Sequence, residues 1–384
     1  MDHAFHTTFT HRLHFTRDAL DPANPALATA LRTGDASPVR MLAFVDTNVA
    51  AALPDLPGRL RAYVAAHDHV ELVGRVQPVA GGELCKNDRD AMYRVLNAIN
   101  EAGLDRQSFI LAIGGGAVLD CVGFAAAIAH RGMRLVRMPT TTLAQGDSGV
   151  GVKNGINGFG QKNYLGTFAV PWAVINDESF LTTLGERDWR AGFSEVVKVA
   201  LLKDANLFEQ ACAAAPAVRG RDLDATVPLL RRSAELHMEH ITTGGDPFEL
   251  GEGRPLDFGH WSAHRLETMT DFALRHGEAV AIGLALDVTY AEAINRVSTD
   301  LAERIRTCLS DMGLALYHPA LRRADELLEG LEQFRAHLGG RLSIPMIEAA
   351  GRPIELTALD STTLHRTIER LRRLARHQTQ SAKC

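Results

Sequence analysis

Short apolar runs that alternate with helical patterns are the feature that most constrains the fold of this chain. The runs lie at residues 41–46, 70–74, 109–116, 134–139 and 173–177. Segments with helical periodicity separate several of them, for example "DAMYRVLNAINEAG" and "AVLDCVGFAAAIAHRG". Strands that alternate with helices in this way are typical of βαβ units around a parallel sheet. The first half therefore predicts an α/β fold, preceded by a half-exposed strand or hairpin in the alternating "HTTFTHRLHF".

The pattern changes near residue 180, where long amphipathic stretches with few β-branched runs begin. At 384 residues the chain is longer than a single hydrophobic core usually allows. We therefore predict two domains, an α/β domain over residues 1–180 and a mainly α-helical domain over residues 181–384.

Composition excludes several classes of function. The net charge of −5 gives no electrostatic reason to expect binding to nucleic acid or to an anionic membrane. The five cysteines show no CxxC spacing, which favours a reducing compartment. Neither a signal-peptide h-region nor a run long enough to span a membrane is visible. We expect a cytoplasmic enzyme.

A run of three glycines, Gly114, Gly115 and Gly116, stands between a strand pattern and an alanine-rich helix. Glycines let the backbone approach a phosphate closely, and the start of a helix favours negative charge. The run is not a G-x-G-x-x-G fingerprint, so a plain tight turn is an alternative interpretation. Asp120 is a candidate for binding a ribose, or it simply favours the helix N-terminal end.

The densest polar cluster of the chain is "PTTTLAQGDSGVGVKNGINGFGQKNYLGTF". It contains Asp147, Lys153, Asn157, Lys162 and Asn163 among many glycines. Glycines let the backbone close on a ligand, while lysines supply cationic donors that suit a phosphate or an enolate. The alternative is a long solvated loop.

Two further segments combine apolar helical patterns with ionisable side chains. Glu195 and Lys198 are three residues apart in "EVVKVALLKD", so they share one helix face and form either a surface ion pair or part of a site. His260, His264 and His276 follow one another closely, and the first two are spaced i, i+4. Because a catalytic zinc usually takes three protein ligands, these histidines with Glu195 predict a metal site. Histidines satisfied within the core are the alternative.

Five blocks resemble, in order, the signature sequences of 3-dehydroquinate synthase and the related sugar phosphate cyclases. They are "GGGAVLDCVGF", "HRGMRLVRMPTTTLAQGDSGVGVKNGIN", "KNYLGTF", "AGFSEVVKVALLKD" and "DFGHWSAHRLE…RHGEAVAIG". In wording the blocks are most similar to the cyclases of the bacterial Ebo gene clusters and to the 2-epi-5-epi-valiolone synthases. The resemblance implies a Rossmann-like NAD-binding domain in residues 1–180, a helical metal- and substrate-binding domain in residues 181–384, and a homodimer.

The resemblance also implies a reaction and its cofactors. Such an enzyme is a phosphate-eliminating lyase (EC 4.2.3.-) that uses NAD and one zinc or cobalt ion. A secondary alcohol of a sugar phosphate is transiently oxidised, phosphate is eliminated, the hydride returns, and an intramolecular aldol reaction closes a carbocycle. NAD is regenerated in each turnover.

Residue roles follow from the resemblance by motif. The implied metal ligands are Glu195, His260 and His276. The implied catalytic residues are Lys153, Asn163, Lys198, His264 and Asp147, the last beside the nicotinamide. Arg131 would bind the substrate phosphate across the dimer interface, and Lys162 would contact substrate and cofactor. The implied NAD contacts are Gly114, Gly115, Gly116, Asp120, Thr140, Thr141 and Asp147, with Asp46, Glu83 and Lys86 of "GGELCK" as further contacts.

The chain departs from 3-dehydroquinate synthase where that enzyme binds the substrate carboxylate. A family lysine falls at Glu239, a family arginine falls at Gly253 beside Arg254, and a family asparagine falls at Asp257. Desolvated acidic groups would repel a substrate carboxylate by several kcal/mol, whereas they accept hydrogen bonds from sugar hydroxyls. We therefore predict a ketose phosphate without a carboxylate, such as sedoheptulose 7-phosphate.

Three alternatives remain. One is 3-dehydroquinate synthase itself, acting on 3-deoxy-arabino-heptulosonate 7-phosphate, with Arg254 replacing the family arginine. Another is a metal-dependent alcohol dehydrogenase of related fold, which would release NADH stoichiometrically. The last is a cyclase retained as a scaffold, although no predicted metal ligand is lost. His264 itself is a departure from the valiolone-forming enzymes, which usually lack it.

Overall fold

The computed structural model describes residues 1–34, 38–251, 255–337 and 342–381. The chain divides into two compact units, Met1–Leu184 and Gly185–Cys384. The division falls within a few residues of the change in sequence pattern near residue 180. Among the described residues, every helix is too short or too polar to cross a lipid bilayer.

A seven-stranded sheet with parallel pairing forms the centre of the first unit, in the order β1-β9-β6-β5-β2-β3, with β4 paired to β2. A separate antiparallel hairpin is formed by β7 and β8. The strands are β1 (Leu13–Thr16), β2 (Val39–Asp46), β3 (Val70–Leu72), β4 (Gln77–Val79), β5 (Phe109–Gly114), β6 (Arg134–Pro139), β7 (Lys153–Gly158), β8 (Gln161–Phe168) and β9 (Ala173–Asp177). The helices are α1 (Ala26–Ala30), α2 (Thr47–Ala52), α3 (Leu56–Ala65), α4 (Leu84–Asn87), α5 (Arg89–Glu101) and α6 (Gly116–Ile128).

The central strands are apolar along their whole length because both faces of the sheet are covered. Met41 and Val45 of β2 pack into one hydrophobic cluster, while Leu42 and Phe44 pack into another. Successive side chains of a strand point to opposite faces, so continuous apolar runs are expected of a parallel sheet buried on both sides.

All five apolar runs form strands, which confirms the predicted α/β architecture of this half. The alternating N-terminal segment forms only the short strand β1, Leu13–Thr16. The interpretation of the polar cluster as a solvated loop is wrong for residues 153–168, which form the β7–β8 hairpin.

The second unit is mainly helical, as predicted, and contains one further antiparallel hairpin. Helix α13 is its centre, with almost every residue after the first buried and with packing against α8, α12, α14 and α16. A helix that is apolar on all sides is expected in the middle of a core. The elements are α7 (Glu186–Ala191), α8 (Phe193–Lys203), α9 (Ala205–Ala213), α10 (Ala215–Gly220), α11 (Leu223–Thr243), α12 (His260–Met269), α13 (His276–Ala293), α14 (Thr299–Asp311), α15 (Ala324–His337), β10 (Ile344–Ala349), β11 (Arg352–Leu356) and α16 (Ser361–Ser381).

A buried carboxylate joins three helices of this unit. Glu292 of α13 lies 2.9 Å from Arg306 of α14 and 2.6 Å from Arg370 of α16. The side chains of Glu292 and Arg306 are 5% and 8% exposed. The amino-terminal end of α16 is capped by Asp360, which accepts a hydrogen bond from the backbone N–H of Thr363 at 2.7 Å.

Replacing Glu292 by alanine should lower the free energy of unfolding by about 3–5 kcal/mol, because it leaves the buried Arg306 guanidinium without its anionic partner. Urea denaturation measures the change. Glu209→Ala is the matched control, because Glu209 pairs with Arg304 on the exposed surface and should lose less than about 1 kcal/mol. Equal losses in the two variants would contradict the argument.

Candidate active site

The carboxyl ends of three neighbouring strands meet at one edge of the sheet in the first unit. Asp46 ends β2, Gly114 ends β5, and Thr140 follows β6. The backbone N–H of Thr140 donates to the carbonyl of Gly114 at 3.0 Å. Strand order reverses between β2 and β5, since β3 lies on one side of β2 and β5 lies on the other. Open α/β sheets bind ligands at such a point.

The glycine turn after β5 leaves no room for side chains. A Cβ added at Gly114 would lie 2.9 Å from Val118, and one at Gly116 would lie 2.8 Å from the hydroxyl of Ser148. At Gly115 it would lie 3.2 Å from Thr141. Because α6 begins at Gly116, bare backbone N–H groups stand at its start, which suits a phosphate.

Asp46 connects the end of β2 to the glycine turn. Its carboxylate accepts a hydrogen bond from the N–H of Asn48 at 2.8 Å and caps α2. Burial raises the pKa of Asp46, while hydrogen bonds from the N–H groups of Asn48 and Gly115 partly offset that effect. The predicted NAD contacts Asp46, Gly115 and Thr141 therefore lie together.

A buried lysine lies at the centre of a second group of predicted residues. Lys86 is 3% exposed, lies 2.7 Å from Asp120 and donates a short hydrogen bond to Asn163. Burial lowers the pKa of Lys86, but the carboxylates of Asp120 and Glu83 outweigh burial and raise it. The lysine therefore keeps its positive charge inside the protein, and this pairing was not predicted from sequence.

The β7–β8 hairpin brings its polar residues to the same place. Asn157 donates to Glu83 at 3.1 Å, and its side-chain oxygen accepts from the N–H of Asn163 at 2.9 Å. The ammonium of Lys162 lies 3.7 Å from Glu83. The "GGELCK" segment and the glycine-rich cluster, which are distant in sequence, thus form one polar network.

Two other predicted residues of this region, Asp147 and Lys153, lie in segments whose backbone is ordered by hydrogen bonds. Asp147 is buried in a single π-helical turn, Ala144–Ser148, and such turns are frequent at functional sites. Lys153 is exposed at the start of β7. Its carbonyl accepts from the buried guanidinium of Arg137 at 2.9 Å, as does the carbonyl of Gly151 at 2.7 Å.

Arg131 lies in a strained and exposed segment. Its backbone φ is +62°, between His130 at +50° and Gly132 at +115°. Consecutive residues with positive φ are uncommon, and strained backbone of this kind occurs often at functional sites. Among the described residues, the Arg131 guanidinium has no hydrogen bond or ion pair.

In the second unit, Glu195 and Lys198 of α8 form a buried pair. Their side chains are 1% and 3% exposed, and the Lys198 ammonium lies 2.8 Å from the Glu195 carboxylate. Burial raises the pKa of Glu195, but the charge of Lys198 and the contact with His260 hold it well below its ordinary value. The interpretation as a surface ion pair is therefore wrong.

Two imidazoles converge on the same carboxylate. Nε2 of His260 and Nε2 of His276 lie 3.5 Å and 3.1 Å from Oε1 of Glu195. Nδ1 of His260 is 3.1 Å from the carbonyl of Phe258, and Nδ1 of His276 is 3.1 Å from the carboxylate of Glu267. Each Nδ1 therefore has an acceptor at hydrogen-bond distance, and Nε2 is the ring atom of both histidines that faces Glu195.

This arrangement fits a divalent cation. Two imidazole nitrogens and a carboxylate oxygen that converge on one point form a typical ligand set for such an ion, and each Nδ1 has the acceptor that metal-bound histidines usually have. Neither oxygen of Glu195 has a hydrogen bond of good geometry among the described residues. Ring nitrogens of His260, His264 and His276 also lie within 4.8 Å of one another, so His264 is a further candidate ligand.

The start of α12, which carries His260, is packed against α13. Gly259 has φ +78°, and a Cβ at Gly283 would lie 2.1 Å from the Gly259 carbonyl. Asp287 of α13 accepts hydrogen bonds from the Gly259 N–H at 3.0 Å and from the Trp261 indole at 2.9 Å. Burial raises the pKa of Asp287 to about 7 against the effect of these bonds. No motif in the sequence marks Asp287, because it lies within an otherwise apolar helix.

The three predicted substrate residues of this unit have different surroundings. Glu239 is exposed and lies 3.4 Å from Arg232. Asp257 is half-buried, and its carbonyl accepts from the N–H of His260 at 3.0 Å. Arg254 lies outside the described residues.

A parallel sheet with a glycine turn and a helical unit with a buried carboxylate–histidine cluster define a class of dinucleotide- and metal-dependent enzymes. Comparison with known proteins identifies the family. The model of the 3-dehydroquinate synthase N-terminal domain matches residues 76–191, and the model of its C-terminal domain matches residues 192–333.

Two curated relatives and one solved structure illustrate the similarity. The 2-epi-5-epi-valiolone synthase of Streptomyces glaucescens is 33% identical over 89% of this chain and 85% of its own length. The 3-dehydroquinate synthase of Paracoccus denitrificans is 35% identical over 88% of this chain and 91% of its own. The structure of ValA, a 2-epi-5-epi-valiolone synthase from Streptomyces hygroscopicus with NAD+ and Zn2+ bound, aligns with a TM-score of 0.87 at 27% identity, covering 97% of this chain and 99% of that one.

The chain belongs to the 3-dehydroquinate synthase family of sugar phosphate cyclases. The predicted family, enzyme class and fold are thereby confirmed. Relatives named as two different synthases are similarly distant from it, at 33% and 35% identity.

The raised pKa of Asp287 predicts a pH dependence of stability. The carboxyl has a pKa of about 7 when folded, against an ordinary value of 3.8. The folded state therefore binds the extra proton, and this group's contribution to stability is lost as the pH rises from 3.8 to about 7. Relative to the Asp287→Asn variant, the free energy of unfolding of the wild type should fall by up to about 4 kcal/mol over that pH range.

Urea denaturation of both proteins at a series of pH values measures this difference in free energy of unfolding. Other titrating groups contribute equally to both proteins, so their effects cancel in the comparison. A difference that stays constant across the range would show that Asp287 does not titrate there.

Proposed function

We propose that this protein is an NAD- and metal-dependent sugar phosphate cyclase that converts sedoheptulose 7-phosphate to a carbocyclic cyclitol. The observation that carries the proposal is the buried convergence of Glu195, Lys198, His260 and His276. A relative that shares this class of reaction is solved with NAD+ and Zn2+ bound, which supports the same cofactors here.

NAD would be held by the first unit. The N–H groups at the start of α6 suit its pyrophosphate, and Asp46 and Asp120 suit its hydroxyl groups. The further proposed contacts are Gly114, Gly115, Gly116, Thr140, Thr141, Asp147, Glu83, Lys86 and Lys162.

The metal, zinc or cobalt, would be held by Glu195, His260 and His276. When bound, NAD accepts and returns a hydride, and the divalent ion polarises the reacting hydroxyl as a Lewis acid. Lys198 lies against Glu195, so its ammonium is positioned to stabilise negative charge that develops on a substrate oxygen.

The remaining proposed residues bind phosphate and move protons. Lys153 and Arg131 are exposed cations suited to the substrate phosphate. His264 is a candidate proton carrier, because its ring lies 5.4 Å from that of His260 and 5.7 Å from that of His276. Asn163 would hold a substrate hydroxyl at the β7–β8 hairpin.

Two acidic positions favour a substrate without a carboxylate. Glu239 and Asp257 replace the lysine and asparagine that the resemblance assigns to carboxylate binding. At Asp257, which is half-buried, an acidic side chain favours hydroxyl groups, which donate hydrogen bonds to it, over a repelled carboxylate, whereas Glu239 is exposed and paired with Arg232 and would repel a carboxylate only weakly. The 35% identity to a 3-dehydroquinate synthase keeps the heptulosonate as the second candidate.

Phosphate release distinguishes the candidates. Purified protein with NAD and Co2+ or Zn2+ should release phosphate from sedoheptulose 7-phosphate and not from 3-deoxy-arabino-heptulosonate 7-phosphate, without accumulation of NADH. His276→Ala, which removes a proposed ligand, is the inactive control. Release from the heptulosonate alone would assign the chain to 3-dehydroquinate synthase, and stoichiometric NADH from an alcohol would indicate a dehydrogenase.

We also propose a homodimer in which Arg131 binds the phosphate at the partner's site. The exposed side chain and the strained backbone at His130 and Arg131 support a residue held for a contact outside its own chain.

Complementation tests this assignment. Arg131→Ala and His276→Ala should each be inactive, but a mixed dimer retains one intact site if Arg131 acts across the interface. Random mixing should then restore about a quarter of wild-type activity, as expected for a symmetric dimer. No recovery, with mixed dimers demonstrated by differential tagging, would place Arg131 at its own chain's site.

A further inference from the structure

Asp287 is a buried carboxylate that none of the proposed steps uses. It lies on α13, the helix that begins with the proposed ligand His276, and it is 1% exposed. Its oxygens accept from the Gly259 N–H at 3.0 Å and from the Trp261 indole at 2.9 Å. The two donors are the residues immediately before and after His260.

The carboxylate therefore holds both sides of a second proposed ligand. His260 is the first residue of α12, so its direction depends on the turn at Gly259. That turn has little freedom, because a Cβ at Gly259 would lie 2.8 Å from the backbone nitrogen of Leu284. Movement of the Asp287 side chain would thus be transmitted to the Gly259 backbone on one side of His260 and to the Trp261 side chain on the other.

The chemistry of the two donors fits a carboxylate at this position. The peptide N–H and the indole N–H donate and do not accept, so two acceptor oxygens are needed. An amide would place its NH2 group against one of the donors. Burying a carboxylate is unfavourable unless hydrogen bonds compensate it, and the Gly259 N–H and the Trp261 indole supply that compensation.

We propose that Asp287 is a positioning residue that orients His260 toward the metal. Helix α13 then carries His276 and also sets the direction of His260. The inference rests on the proposed metal site, and it adds a residue that no motif of the sequence identifies.

Co2+ binding to the full-length protein tests the inference. Asp287→Asn should raise the Kd for Co2+ about tenfold, as is typical for loss of an outer-shell partner of a ligand. It should also change the visible absorption spectrum of the bound Co2+, because that spectrum depends on ligand geometry. Competition with a chromophoric chelator gives the Kd.

Glu292→Gln is the matched control. It makes the same change from carboxylate to amide on the same helix, and within the described part of the chain the Glu292 carboxylate pairs with Arg306 and Arg370, neither of which is a proposed ligand. It should lower stability while it leaves the Kd and the Co2+ spectrum unchanged. An effect on Co2+ binding equal to that of Asp287→Asn would mean that general destabilisation is the cause and would overturn the inference.

Trp261→Phe provides a second route if Asp287→Asn does not fold. It removes one donor and keeps an aromatic ring, so it should raise the Kd less than Asp287→Asn and change the spectrum in the same direction. In the double variant the two effects should not multiply, since both act through one contact. Wild-type Kd and spectrum in each folded variant would overturn the inference.

His276→Ala separates this inference from the proposed function. Loss of Co2+ binding in that variant, with wild-type behaviour in Asp287→Asn, would overturn only the role of Asp287. No Co2+ binding by the wild type would overturn the metal site and the inference together.

Discussion

The buried charge of Glu195 is the constraint on which the second unit depends. A carboxylate that is 1% exposed cannot be hydrated, so cations or donors from the protein must surround it. Lys198 supplies one charge from the next turn of α8, and His260 and His276 approach from two other helices. The packing of α12 against α13 at Gly259 and Gly283 is what allows these helices to come so close.

In the first unit, a parallel sheet brings the predicted site residues together. Its strands end at a common edge, so residues from distant parts of the sequence meet without any long-range motif. Asp46, Gly114 and Thr140 meet there through strand order alone. The charged network of Lys86, Asp120 and Glu83 also depends on tertiary structure, because the "GGELCK" segment meets α6 and the β7–β8 hairpin only in the folded chain.

The sequence predicted what periodicity and motif spacing encode. The five strands and the i, i+4 pair of His260 and His264 were accessible because each is a local pattern. The β7–β8 hairpin was missed because its glycines and polar residues resemble a loop, and the β10–β11 hairpin was missed within a mainly helical half. Asp287 was missed because its partners, Gly259 and Trp261, are far away in sequence, and only the fold shows that its two oxygens face two donors.

Arg137 shows how the fold prepares the lysine-bearing segment before any ligand arrives. Its buried guanidinium donates to the carbonyls of Gly149, Gly151 and Lys153, so this glycine-rich stretch is already ordered. A flexible segment must lose conformational entropy when it closes on a ligand, and that loss weakens binding. Here the ordering occurs during folding, so the affinity for the anion that we propose this segment binds need not be reduced by it.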